Sequence, residues 1–90
     1  MAHVEMYATQ VCPYCNMAEA LLRSKGVEAE KTMVDVHSEE RGRMVERAGG
    51  RRTVPQIFIN GRHIGGFDEI RALEQQGELD ALLAEDAPEQ

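Results

Sequence analysis

Val4-Glu5-Met6-Tyr7-Ala8 alternates apolar and polar residues at its start, the period of two that predicts a first strand. After the short connection Thr9-Gln10-Val11 the period changes. Cys15, Ala18, Leu21 and Leu22 recur at three- and four-residue spacing, the buried stripe of a helix. Cys12 falls at the N-cap of that helix and Pro13 at its first position, where the missing N–H has no helical partner to lose. Lys25-Gly26 closes it. Ala29 to Val36 is rich in β-branched and apolar residues and predicts a second strand, with Met33, Val34 and Val36 as its firmest part. Ser38 is expected to cap a second helix that carries Glu39 and Glu40 in its first turn. Met44, Val45 and Ala48 give this helix a thin apolar face, and Gly49-Gly50 stops it.

The clearest local signal follows. Gln56-Ile57-Phe58-Ile59 and Arg62-His63-Ile64-Gly65 are strand-like runs separated by Asn60-Gly61, the pair that favours a two-residue type I′ hairpin. A third helix is predicted over Phe67 to Gln76, ended by Gly77, and a short terminal helix over Glu78 to Ala84. The order β-α-β-α-β-β-α places two parallel strands before an antiparallel hairpin, with a right-handed crossover expected between the parallel pair. An α/β fold with a four-stranded mixed sheet and helices on both faces results, the outline of the thioredoxin fold. A chain of 90 residues is too short for two cores. One domain over residues 1–85 and a frayed tail over 86–90 are expected.

Composition narrows the function. With two Phe, two Tyr and no Trp, the core must rest on Val, Ile, Leu, Met and Ala. A formal net charge of −6 argues against nucleic acid as the main partner, since phosphate binding needs clustered Lys and Arg. Arg51-Arg52 is a compact positive spot within this acidic chain. Ala81-Leu82-Leu83-Ala84 falls far short of a membrane span, and Met1 to Glu5 lacks the pattern of a secretory signal. A cytoplasmic location is therefore expected, where a cysteine pair is more often catalytic than structural.

Cys12-Pro13-Tyr14-Cys15 holds the chain's two cysteines at C-x-x-C spacing, directly after a strand and on the first turn of a helix. A helix N-terminus stabilises a thiolate, and the thiolate is the nucleophile in disulfide exchange. On that basis Cys12 is the nucleophile and Cys15, one turn in, the resolving thiol. The competing readings are an inert pair or half of a zinc site. Zinc normally takes four ligands, and His3, His37 and His63 show no ligand spacing. No metal is expected.

Two further segments carry candidate chemistry. In Arg51-Arg52-Thr53-Val54-Pro55 a cis Val54-Pro55 bond would turn the Val54 N–H and C=O outward to pair with an extended peptide. The alternative is a plain loop with a trans proline opening the next strand. Gly65-Gly66-Phe67-Asp68 allows close backbone approach and presents helix N–H groups to an anion; it also reads as a simple hairpin exit.

Cys12-Pro13-Tyr14-Cys15, Thr53-Val54-Pro55-Gln56-Ile57-Phe58-Ile59 and His63-Ile64-Gly65-Gly66 together resemble the small bacterial dithiol glutaredoxins, over Val4 through Leu83. The Trp-Cys-Gly-Pro-Cys motif of thioredoxins is absent. The resemblance implies a glutathione-dependent disulfide oxidoreductase with glutathione as co-substrate and no tightly bound cofactor. It implies that Val54 pairs its backbone with the cysteinyl part of glutathione beside cis-Pro55. Gly66, Phe67 and Asp68 would hold the γ-glutamyl end. Tyr14 would flank the mixed disulfide, and Arg51 or Arg52, next to Thr53, would meet the glycine carboxylate. Implied partners are disulfide-containing or glutathionylated proteins, ribonucleotide reductase among them. A monomer is the default expectation. The alternative is a glutathione-ligated [2Fe–2S] cluster carrier, against which Pro13 and the second thiol Cys15 both argue. One departure stands out: many family members have a lysine three residues before the first cysteine, and this chain has Thr9. Cys12 is expected to have a higher pKa than in lysine-bearing relatives.

Overall fold

The computed structural model describes residues 2–87. The element order is β1 (Val4–Ala8), α1 (Pro13–Ser24), β2 (Glu30–Met33), α2 (Ser38–Arg47), β3 (Gln56–Ile59), β4 (Arg62–Gly65), α3 (Phe67–Gln75) and α4 (Leu79–Ala84). The strands form one sheet in the order β2-β1-β3-β4. β1 pairs parallel with β2 and antiparallel with β3, with Met6 opposite both Lys31 and Ile57. β3 and β4 form the hairpin. Asn60 and Gly61 have φ of 52° and 79°, the positive values that a type I′ turn requires at both central residues.

Alternation along β1 and β3 divides the core between two faces. Val4, Met6, Ile57 and Ile59 meet Ala18 and Leu22 of α1, Ile70 of α3, and Leu79 and Leu83 of α4. On the other face Tyr7 and Phe58 meet Val34, Met44 and Ala48, so α2 covers that side alone. Arg47 reinforces it. Its guanidinium donates to both carboxylate oxygens of Glu5 at 3.0–3.1 Å and to the Tyr7 hydroxyl at 3.0 Å. The same group lies 4.0 Å from the Phe58 ring centroid. This is a sandwiched cation with its charge and its flat face both used.

Two expectations need correction. β2 is four residues long and stops at Met33. Val34 still donates its N–H to Ala8 at 2.9 Å, but Val36 and His37 turn back onto the Met33 carbonyl. The chain is thus already turning at Val34, and Val36 is half exposed. α2 is capped by His37 with no side-chain hydrogen bond, and Ser38 is its first residue instead of its cap. Glu39 and Glu40 do lie in its first turn, so the dipole contributes where the side-chain cap does not.

Residues 88–90 of the expected tail lie outside the described residues. Within them, Asn60 Nδ2 donates to the Asp86 carbonyl at 3.2 Å. Among the described residues no helix is long and apolar enough to cross a membrane.

Candidate active site

Cys12 is the N-cap of α1, extended at φ −149° and ψ 95°, with Pro13 next in the helix. Its Sγ accepts the Cys15 N–H at 3.1 Å. Cys12 and Cys15 are joined as a disulfide with Cα atoms 5.2 Å apart. They pack on Ala8, with Met33 and Val54 adjoining. Cys12 is 8% exposed and Cys15 3%, so in the closed disulfide the first sulfur lies slightly nearer the surface. Once the bond opens, the Cys15 N–H and the helix dipole both favour negative charge on Cys12, which lowers a thiol pKa. Around the pair the chain leaves apolar groups uncovered: Val11 is 90% exposed and Tyr14 59%.

The loop before β3 reaches the same place. The Val54-Pro55 bond is cis, and the Val54 carbonyl oxygen lies 4.0 Å from Cys12 Sγ. Gln56, fully buried at the start of β3, fastens this loop. Its amide Nε2 donates to the Thr53 carbonyl at 3.0 Å and to Thr53 Oγ1 at 3.2 Å. Its Oε1 meets His63 Nε2 at 2.7 Å across the hairpin. The His63 ring stacks at 5.1 Å on Phe58. Burial pushes the His63 pKa below its ordinary value, with the Arg51 charge acting in the same direction.

Between this loop and the start of α3 lies an open cleft of about 200 Å³, lined by Tyr14, Arg51, Thr53, Val54, Pro55, Gly66, Phe67, Asp68 and Glu69. Tyr14 and Phe67 approach at 6.2 Å between ring centroids. A Cβ on Gly66 would stand 3.2 Å from the Pro55 carbonyl oxygen, so the glycine lets the two walls come close. Eight of the residues singled out from sequence therefore share one cleft. Arg52 is not among the lining residues; its carbonyl receives Arg41 Nη1 at 3.5 Å.

Glu69 is the residue that sequence reasoning missed. Its carboxylate accepts the Gly66 N–H and pairs with Arg51 Nη1 at 3.0 Å. The Gly66 hydrogen bond, seconded by Arg51, holds its carboxyl below the usual range. The available signal was an acid three residues after the N-cap, as in a capping box. Because the cap is a glycine, the Ser/Thr half of that pattern was missing. Thr9 lies off the cleft, in a small cavity with Cys15, Asn16, Glu19 and Lys31. There Lys31 pairs with Glu19 at 3.0 Å. Among the described residues no group of three or more His, Cys, Asp or Glu side chains could hold a metal ion.

A disulfide on the first turn of a helix, at the carboxyl end of a central strand and beside a cleft walled by backbone, defines a dithiol oxidoreductase of thioredoxin fold. The glutaredoxin family model matches residues 4–64. Glutaredoxin 3 of Escherichia coli K12 is 51% identical over 83 residues, covering 92% of this chain and 99% of the relative. The crystal structure of a buckwheat glutaredoxin–glutathione complex superposes with a TM-score of 0.83 at 27% identity, over 91% of this chain and 76% of that one. The solution structure of glutaredoxin from Brucella melitensis gives 0.80 at 47% identity, over 92% and 89%. The chain belongs to the glutaredoxin family. It is a glutathione-dependent thiol–disulfide oxidoreductase.

Proposed function

We propose that Cys12 is the nucleophile of this oxidoreductase and Cys15 its resolving thiol. The observation that carries the assignment is Cys12 Sγ at the N-cap of α1, accepting the Cys15 N–H and facing the Val54 carbonyl at the edge of the cleft. With a glutathionylated substrate, the Cys12 thiolate attacks the glutathionyl sulfur. The substrate thiolate leaves and takes a proton, and Cys12 carries glutathione as a mixed disulfide. A second glutathione thiolate attacks the glutathionyl sulfur, releasing oxidised glutathione and regenerating the Cys12 thiolate. With a protein disulfide, Cys12 attacks one sulfur and the other leaves as a thiolate. The Cys15 thiolate then attacks Cys12 Sγ and frees the second substrate thiol, leaving the Cys12–Cys15 disulfide. Two glutathione molecules reduce that disulfide and leave as oxidised glutathione.

Glutathione lies in the cleft in this reading. Val54 pairs with its cysteinyl backbone beside Pro55, while Gly66, Phe67 and Asp68 receive the γ-glutamyl end. Arg51 meets the glycine carboxylate, with Thr53 adjoining and Tyr14 over the mixed disulfide. Arg51 supports this as the cleft's lining cation, and Arg52 supplies only longer-range charge. The buckwheat glutaredoxin that superposes on this chain is a complex with glutathione. The physiological oxidants are disulfide-containing or glutathionylated proteins, ribonucleotide reductase included, met in the cytoplasm by a monomer whose domain spans residues 1–85.

The test is glutathione-dependent reduction of the mixed disulfide of glutathione and 2-mercaptoethanol. Cys12→Ser is expected to abolish turnover, and Cys15→Ser to retain it because the second glutathione can replace Cys15. Turnover surviving in Cys12→Ser would reject the assignment.

A further inference from the structure

We propose that Glu69 competes with the substrate's carboxylate for Arg51 and so sets how tightly the cleft holds its anionic ligand. The inference rests on the reading above, in which a glutathione carboxylate meets Arg51. That guanidinium is engaged within the protein, Nη1 to Glu69 Oε1 at 3.0 Å. The two side chains are 44% and 41% exposed, so water reaches both and the pair can open without burying a bare charge.

Two observations show that Glu69 is built into this position, and a third that its charge matters there. Its carboxylate also accepts the Gly66 N–H, the first donor of α3, which anchors it on the cleft wall. Gly65 has a φ of +124°, and a Cβ there would run into the Glu69 side chain, so the fold reserves space for this group. The lining holds one cation, Arg51, against two carboxylates, Asp68 and Glu69. A glutathione carboxylate entering this cleft must share or displace an internal one. Glu69 is held ionised at neutral pH by Gly66 and Arg51, so the competition operates under working conditions.

The experiment is steady-state kinetics with the mixed disulfide of glutathione and 2-mercaptoethanol, at low and high salt. It compares wild type, Glu69→Gln, Arg51→Gln and the double variant. Glutamine keeps an oxygen for the Gly66 N–H, and thermal unfolding checks the fold. Glu69→Gln is expected to lower KM by about two- to fivefold at low salt, the range a partly exposed ion pair spans. The change is carried by KM rather than kcat, and added salt shrinks it. With Arg51 replaced, the gain from Glu69→Gln is expected to be smaller. An unchanged or higher KM in Glu69→Gln would mean that Glu69 merely orients Arg51, and overturns the proposal; an equal gain with and without Arg51 overturns it too. No turnover in wild type would instead remove the functional reading, and the inference with it.

Discussion

Replacing Gly65 by alanine adds one methyl group, and its cost can be divided into two parts. The first is backbone: φ at Gly65 is +124°, where an L side chain is strained by about 1–3 kcal/mol. The second is displacement. The new Cβ would stand 2.7 Å from Glu69 Cγ and 2.9 Å from Cδ, so the glutamate must swing off its seat. It then loses the Gly66 hydrogen bond, nominally about 1.5–3 kcal/mol for a charged acceptor, and the Arg51 pair, about 0.2–1 kcal/mol. The Glu69 side chain is 41% exposed, so water replaces part of both. Discounting for that leaves about 1–2 kcal/mol for displacement. Gly61→Ala is the control, since Gly61 also has positive φ, at +79°, but nothing within 4 Å of an added Cβ. In thermal unfolding followed by circular dichroism, Gly65→Ala should lie below Gly61→Ala by about 5–15 °C, taking 4–8 °C per kcal/mol for a domain of this size. Setting Gly65→Ala in a Glu69→Ala background should remove most of that excess. The reasoning fails if the two alanine variants melt together, or if the excess persists without Glu69.

Thr9→Lys, made in Cys15→Ser so that a single thiol titrates, should lower the Cys12 pKa by about one unit, as a nearby cation does; ultraviolet thiolate absorbance against pH reads it, and an unmoved pKa sinks the idea. Arg47→Lys should cost about 1.5–3 kcal/mol in urea unfolding at pH 7, because an ammonium cannot bond both Glu5 oxygens while lying flat on Phe58. The Arg47 hydrogen bond holds the Glu5 carboxyl below its ordinary 4.5. Its stabilising contribution is therefore full above about pH 4.5 and lost as pH falls through the lowered folded value. Glu5→Gln should accordingly be less stable than wild type at neutral pH and approach it at acid pH, whereas a constant gap across that range would contradict the assignment.

Where the local pattern and the tertiary contacts agreed, the sequence was legible. Asn60-Gly61 specified its turn, Cys12-Pro13 its helix start, and the period-two runs their strands. The failures came where neighbours elsewhere in the chain decided the outcome. Apolar content alone extends β2 to Val36, but β1 ends at Ala8 and offers nothing further to pair with. Arg51 and Arg52 are indistinguishable in sequence, yet side chains of adjacent residues in a non-helical stretch diverge. Only Arg51 lines the cleft. Glu69 has no mark in the sequence beyond its place in the first turn of α3, and its double engagement appears only once Arg51 and Gly66 are brought beside it.

The buried amide of Gln56 fixes which nitrogen of His63 carries a proton. Because Nε2 donates to the Thr53 carbonyl, which can only accept, Oε1 is the end turned to the histidine, and His63 must present Nε2–H to it. The imidazole can therefore gain a proton only at Nδ1. Acidification charges the ring without breaking the Gln56 bond, so the clamp of Gln56 on the Thr53 loop outlasts the titration of His63.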